Sequence, residues 1–181
     1  MNDTARKAIA IAYNSNSGNT RTVAEALERA LAADGAQVTS IQVTPESVKR
    51  ASVLTEAADT VLVGFWCDKG SCTDEVAEVL AGLSGKCVFL FGTAGFGGEA
   101  AYFDRILSSV RAKLPADAVY LGGAMCQGRM GGGVLARYEA MLAEKPGDAR
   151  IMSMIDNFHA AESHPDDADL AAIVAAARAA L

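Results

Sequence analysis

The stretch Ser15-Asn16-Ser17-Gly18-Asn19-Thr20 decides the fold, because it joins two segments with different hydrophobic patterns. The segment before it, Ala8-Ile9-Ala10-Ile11-Ala12-Tyr13, is almost uniformly apolar, which is typical of a buried strand. After it, Val23, Leu27 and Leu31 recur with helical spacing among polar residues. The stretch is therefore predicted to be a loop between a buried strand and an amphipathic helix.

The composition of this loop favours phosphate binding. It contains small hydroxyl and amide side chains around one glycine, and it contains no lysine. Hydroxyls and backbone N–H groups at a helix N-terminus suit a single monophosphate. A nucleoside triphosphate would call for the motif G-x-x-x-x-G-K-[ST], which the chain lacks. The alternative is that Ser17 or Asn19 only caps the helix after a glycine turn.

Four more apolar segments follow along the chain, and each is followed by a helical pattern. We expect strands over 37–43, 60–66, 87–91 and 118–125, and helices over 48–54, 76–83, 103–114, 134–143 and from 166 onward. Residues 92–98 and 126–133 are predicted loops, and 145–167 has no clear pattern. This alternation predicts an α/β fold of three layers, a doubly wound five-stranded parallel sheet, in one domain over 1–181.

Charge and composition limit the classes of partner. The chain has 181 residues, of which 51% are hydrophobic and 21% charged, with a formal net charge of −6. This negative charge argues against nucleic acid and membranes as main partners. It is compatible with docking on basic patches of other proteins, or it serves solubility alone. With no apolar run of 18 residues and no signal peptide in residues 1–7, we expect a cytoplasmic protein.

Metal and catalytic sites are not indicated by the sequence. The two histidines, His159 and His164, lie in a polar segment without a matching cysteine or acidic array. We expect them to be surface or packing residues, and we predict neither a metal site nor a catalytic residue.

A family resemblance rests on the run Tyr13-Asn14-Ser15-Asn16-Ser17-Gly18-Asn19-Thr20. It resembles the flavodoxin phosphate loop, [ST]-x-[ST]-G-x-T, which follows the first strand. The resemblance covers nearly the whole chain and is weakest over 131–165. It implies the strand order 2-1-3-4-5 and an FMN cofactor in the crevice at the carboxyl ends of strands one, three and four.

The resemblance also implies roles for individual residues. The phosphate site would comprise hydroxyls of Ser15, Ser17 and Thr20 and backbone N–H groups of Asn16, Gly18 and Asn19. The flavin ring would contact Phe65, Trp66, Asp68, Lys69, Gly70, Thr93, Ala94, Gly95 and Phe96. Trp66 matches the stacking aromatic residue, although it could be a core tryptophan, and Lys69 could simply be solvated. The family's second stacking residue has no clear match, and Phe96 and Tyr102 are the candidates.

Function follows from the same resemblance. Phe65-Trp66-Cys67-Asp68-Lys69-Gly70 and Cys126-Gln127-Gly128 resemble a subgroup of flavodoxin-like proteins of anaerobic bacteria, some of which accompany a bilirubin reductase. This implies an electron-transfer protein that delivers electrons to a partner reductase. The alternative is an NAD(P)H-dependent FMN or quinone reductase on the same fold, so whether the chain is an enzyme stays open. A non-flavin receiver domain is disfavoured, because the first strand ends in Tyr13-Asn14 without acidic residues.

Overall fold

Five parallel strands form one sheet at the centre of the molecule. The computed structural model describes residues 8–97 and 99–181; residues 1–7 and Gly98 of the predicted glycine-rich loop lie outside it. The strands are β1 (Ala8–Tyr13), β2 (Gln37–Gln42), β3 (Thr60–Trp66), β4 (Cys87–Ala94) and β5 (Val119–Gln127). They are arranged in the order β2-β1-β3-β4-β5, which confirms the predicted fold class and strand order.

Within residues 8–97 and 99–181, seven helices connect or flank these strands. They are α1 (Asn19–Ala33), α2 (Val48–Glu56), α3 (Asp74–Ala81), α4 (Ala100–Arg111), α5 (Gly132–Glu144), α6 (Ala149–Ala161) and α7 (Asp167–Ala180). Among the described residues, none of these helices is long and apolar enough to cross a membrane.

The sheet is covered on both faces, which explains the apolar runs in its central strands. On one face Val63 and Leu90 pack with Leu80 of α3 and Ile106 of α4. On the other face the strands pack against α1 and α7, with Leu27 and Ile173 fully buried there. Because parallel strands between two helical layers have no solvent-facing side, β3 is apolar along nearly its whole length.

Two strands are longer than the sequence pattern predicted. The segment 92–94, expected to be loop, continues β4, and Gly92 and Ala94 pair with Met125 and Gln127 of β5. Glycine has a low preference for strands, but Gly92 lies between β3 and β5, which supply the hydrogen-bond ladder on both sides. The loop after β4 therefore begins at Gly95.

The unassigned stretch contains helix α6. Asp148 caps it, with its carboxylate accepting hydrogen bonds from the N–H groups of Arg150 and Ile151. Ile151 and Phe158 are buried, and α6 packs against α5. The two helices form a hairpin between β5 and α7.

Candidate functional site

A cleft of about 650 Å³ opens at the carboxyl edge of the sheet, where the loops after β1, β3, β4 and β5 meet. Eleven of the fifteen predicted site residues line it, namely Asn16, Ser17, Asn19, Trp66, Asp68, Lys69, Gly70, Thr93, Ala94, Gly95 and Phe96. The other four, Ser15, Gly18, Thr20 and Phe65, lie beside the cleft and are not part of its lining.

The loop after β1 leads into α1 through a left-handed glycine. Gly18 has a φ of 92°, and the N-terminus of α1 has no side-chain cap, so neither Ser17 nor Asn19 serves as the simple helix cap considered above. Ser15 Oγ instead accepts a hydrogen bond of 3.2 Å from the N–H of Arg21. The N–H groups of Asn19 and Thr20, at the start of the helix, have no intrahelical partner. This loop therefore presents backbone donors at the positive end of a helix.

Asn19 joins this loop to the loop after β5. Its side-chain nitrogen donates to Ser17 Oγ at 3.0 Å and to the carbonyl oxygen of Arg129 at 2.9 Å. The residue is only 6% exposed, and its buried side-chain oxygen has no hydrogen-bond partner among the residues that the structure describes. A Cβ on Gly128 would lie 2.5 Å from the same amide nitrogen, so glycine is needed there for this close approach. Asn19 thus leaves one unpaired acceptor at the cleft.

Thr20 faces the interior of the protein. Its hydroxyl oxygen lies 2.9 Å from that of Thr93 at the end of β4, and both residues are buried. A direct contact between Thr20 and a phosphate stays a prediction, since this hydroxyl already has a protein partner.

The two aromatic residues at the end of β3 have different surroundings. Trp66 is half-buried and lines the cleft, whereas Phe65 is fully buried in the core. A Cβ on Gly92 would lie 2.8 Å from the ring of Phe65, so the ring occupies the space that glycine leaves open. Phe65 therefore supports the floor beside the cleft, and Trp66 supplies an aromatic surface within it.

The loop after β3 contains a tight two-residue turn. Asp68 and Ser71 exchange two backbone hydrogen bonds of 2.9 Å, and both residues between them have positive φ, 49° for Lys69 and 83° for Gly70. These are the signs that a type I′ turn requires. The turn fixes the backbone of Gly70 at the cleft.

Comparison with known proteins identifies the family of this chain. The family model for the flavodoxin domain matches residues 10–178. The chain belongs to the flavodoxin family. It is 38% identical over 172 residues to the flavodoxin-like domain-containing protein BilS of Clostridium symbiosum, covering 90% of each chain.

Solved structures of flavodoxin-like proteins share the fold. The WrbA-like flavodoxin of Agrobacterium tumefaciens superposes with a TM-score of 0.52 at 14% identity, covering 97% of this chain and 99% of that one. The flavodiiron core of Flv1 from Synechocystis also gives a TM-score of 0.52, at 18% identity, covering 87% of this chain and 36% of the larger one.

A cysteine supports the flavodoxin cleft from behind the turn. Cys67 and Tyr102 both line the cleft and pack against the same core cluster. Burial is the main cause that raises the pKa of both Cys67 and Tyr102 above their ordinary values. Both groups are therefore protonated at neutral pH.

The fourth wall of the cleft was missed by the sequence analysis. It comes from the loop after β5 and from α5, and comprises Gly128, Arg129, Met130, Gly131, Val134, Arg137 and Tyr138. Met130 packs against Gly95, where a Cβ would lie 2.6 Å from its Cγ. Asn157 of α6 donates a hydrogen bond of 3.0 Å to the Gly95 carbonyl oxygen. One signal was available in the sequence. Tyr138 is the aromatic residue of the helical pattern over α5, which predicts that this side of the helix is buried, and Tyr138 is indeed buried.

His164 lies behind this wall in a polar cluster with Asp166 and Asp169. One ring nitrogen of His164 and one carboxylate oxygen from each of the two aspartates lie within 4.8 Å of one another. His164 Nδ1 is 2.5 Å from Asp169 Oδ2, which also accepts from the N–H of Asp166 as part of the capping box of α7. The carbonyl oxygen of His164 accepts a hydrogen bond from the N–H of Arg129. The cluster thus holds the start of α7 and the loop after β5 together.

Proposed function

We propose that this flavodoxin-family chain binds FMN in the cleft and carries electrons to a partner reductase. The observation that carries the proposal is that three features meet in one cleft: the helix-start N–H groups beside Ser17, the half-buried ring of Trp66 and the backbone of the Asp68–Ser71 turn. Each of them suits one part of a phosphorylated, flat-ringed cofactor.

The residues present fit each part of FMN. The helix-start N–H groups and Ser17 would hold the phosphate. Trp66 offers a surface for offset stacking on the flavin ring, and the Asp68–Ser71 turn and the Thr93–Gly95 segment offer backbone groups to the ring edge. When bound, FMN supplies the redox chemistry, and the protein supplies its orientation and electrostatics.

Exposure at the rim supports a carrier. Phe96 is 39% exposed, and Lys69 and Gly70 are also exposed, so the cleft opens directly to solvent along this side. A cofactor edge placed there is accessible to a second protein without movement of the loops. The resemblance of residues 65–70 and 126–128 to the subgroup that accompanies a bilirubin reductase is the basis for naming a tetrapyrrole reductase as the proposed acceptor.

Titration of the protein with FMN tests the binding part of this proposal. Thr20 is a poor position to alter, because its hydroxyl pairs with Thr93. Ser17 is exposed and its hydroxyl accepts from the Asn19 side chain at 3.0 Å. Ser17→Ala removes this cleft hydroxyl, and we expect FMN affinity to fall about tenfold or more, as for loss of a hydrogen bond to a charged group. Flavin fluorescence quenching measures the dissociation constant.

The matched control is Ser84→Ala. Ser84 precedes β4 at the opposite edge of the sheet and bonds to Asp117, so its loss should leave FMN affinity unchanged. Equal affinity for FMN in wild type and Ser17→Ala would show that Ser17 does not bind the phosphate.

A further inference from the structure

The cleft is positively charged in a protein that is negative overall. Its lining includes Lys69, Arg129 and Arg137 but a single acidic residue, Asp68. The formal net charge of the whole chain is −6. A local excess of cations in such a chain favours an anionic ligand at this position.

Neither of the two arginines has an acidic partner among the described residues. Within residues 8–97 and 99–181 the ion pairs are His159–Glu162, His164–Asp169 and Arg178–Asp34, so neither cleft guanidinium lies within 4.0 Å of a carboxylate. Both side chains are exposed to the cleft and the solvent. Their charge is therefore available to a ligand.

The main chain of Arg129 is fixed from two sides. Its carbonyl oxygen accepts from Asn19 at 2.9 Å, and its N–H donates to the His164 carbonyl oxygen at 2.9 Å. The Asn19 amide that holds it also holds Ser17 of the loop after β1. Arg129 thus starts directly beside the loop proposed to bind the phosphate.

Tyr138 adds a polar group to the same wall. The residue is only 3% exposed and lines the cleft, and its hydroxyl makes no hydrogen bond to the part of the chain that the structure describes. The guanidinium carbon of its neighbour Arg137 lies 5.5 Å from the centre of its ring. A phenol without a protein partner can donate to a bound oxygen atom.

We propose that Arg129, Arg137 and the Tyr138 hydroxyl form a cationic clamp that binds the phosphomonoester group of the cofactor. The inference rests on the proposed function and adds charge to the phosphate site. The neutral loop after β1 holds one side of the phosphate, and the arginines of the loop after β5 and of α5 neutralise its charge from the other side. Guanidinium groups suit this task because they offer paired N–H donors to phosphate oxygens. The clamp makes the site selective for FMN over riboflavin, which has the same ring and ribityl chain without the phosphate.

The test compares two flavins in the full chain. Dissociation constants for FMN and for riboflavin are measured by fluorescence quenching in wild type, Arg129→Gln, Arg137→Gln and Tyr138→Phe. We expect each arginine variant to weaken FMN about tenfold and to change riboflavin less than twofold, since a charge-assisted hydrogen bond is lost only with FMN. Wild-type affinity for FMN should also fall with added salt more steeply than affinity for riboflavin.

Arg29→Gln is the matched control. It removes a positive charge from α1 at a position ten residues after Asn19, which is about 15 Å along the helix from the cleft. The affinities for FMN and for riboflavin should therefore both stay unchanged. Equal weakening of both flavins by the arginine variants would mean that the wall has only a structural role, and unchanged FMN affinity would also overturn the clamp. Failure of wild type to bind either flavin would overturn the proposed function itself, so the two failures are distinguishable.

Discussion

The hydroxyl oxygens of Thr20 and Thr93 lie 2.9 Å apart, although the residues are 73 positions apart in the chain. Thr20 is in the first turn of α1 and Thr93 is near the end of β4, and both are buried. The pair joins the first turn of α1 to the end of β4 beside the cleft. The loops that adjoin these two elements are therefore linked within the protein itself, before any ligand binds.

Removing one member of this pair should destabilise the protein. Thr20→Val keeps the side-chain shape but leaves the Thr93 hydroxyl buried without its partner, at an expected cost of about 1–3 kcal/mol in the free energy of unfolding. Urea denaturation measures the change. The double variant Thr20→Val with Thr93→Val removes both polar groups and should recover part of the loss. A double variant that is as unstable as the sum of the two singles would show that the hydroxyls do not interact.

The turn after β3 carries a residue that is poorly suited to its backbone. Lys69 has a φ of 49°, a conformation that asparagine adopts more readily than lysine. Lys69→Asn should therefore raise the free energy of unfolding by about 0.5–1 kcal/mol in thermal denaturation. Lys69→Gln is the control, since it removes the same charge without favouring the turn. An equal gain in both variants would assign the effect to charge.

Gly64 should tolerate no side chain. A Cβ there would overlap the Phe91 ring and lie 2.7 Å from Tyr13 Cβ. Gly64→Ala is expected to cost about 1–3 kcal/mol because it overpacks β3 against its neighbours. Gly133→Ala is the comparison: it lies in α5 with nothing within 4 Å, so stability should be unchanged or slightly higher. A Gly64→Ala protein with wild-type stability would contradict this packing.

The free energy of unfolding should fall at alkaline pH because the thiol of Cys126 is buried. Burial, with smaller contributions from Asp169 and Asp166, raises its pKa to about 12 from a usual value of 9.0. The contribution of this group to stability is fully present below pH 9 and is lost as the pH rises towards 12, because the unfolded chain releases the proton first. The slope contributed by this group is at most about 1.4 kcal/mol per pH unit.

The variant Cys126→Ala isolates this effect. It should have a shallower decline in melting temperature above pH 9 than wild type, whatever its stability at pH 7. Parallel curves for the two proteins between pH 8 and 11 would contradict the assignment to this thiol.

The sheet could be predicted from the apolar runs of β1, β3 and β4, because such runs are stable in water only when they are buried between two helical layers. Its errors lie where tertiary contacts override local preference. Gly92 reads as a loop residue, but it is a strand residue that makes room for the ring of Phe65. Helix α6 had a readable signal in the capping residue Asp148 and the spacing of Ile151 and Phe158, and the surrounding polar residues obscured it.

The cleft was predicted on three sides and missed on the fourth. The loops after β1, β3 and β4 contain recognisable residue types in order, whereas the contribution of Arg129 depends on a contact with Asn19, 110 positions earlier in the chain. Such a long-range contact leaves no pattern in the local sequence. The hairpin of α5 and α6 also determines the position of Arg137 and Tyr138, and it coincides with the region where the family resemblance is weakest.

The most direct test of the electron-carrier account is an anaerobic spectrum. The protein is loaded with FMN, NADH and then NADPH are added in excess, and the visible absorbance of the flavin is followed. The account predicts that neither nucleotide bleaches the flavin within minutes, and that chemical reduction with dithionite then does so. Rapid bleaching by either nucleotide would contradict it and would identify the protein as a reductase with its own nicotinamide site.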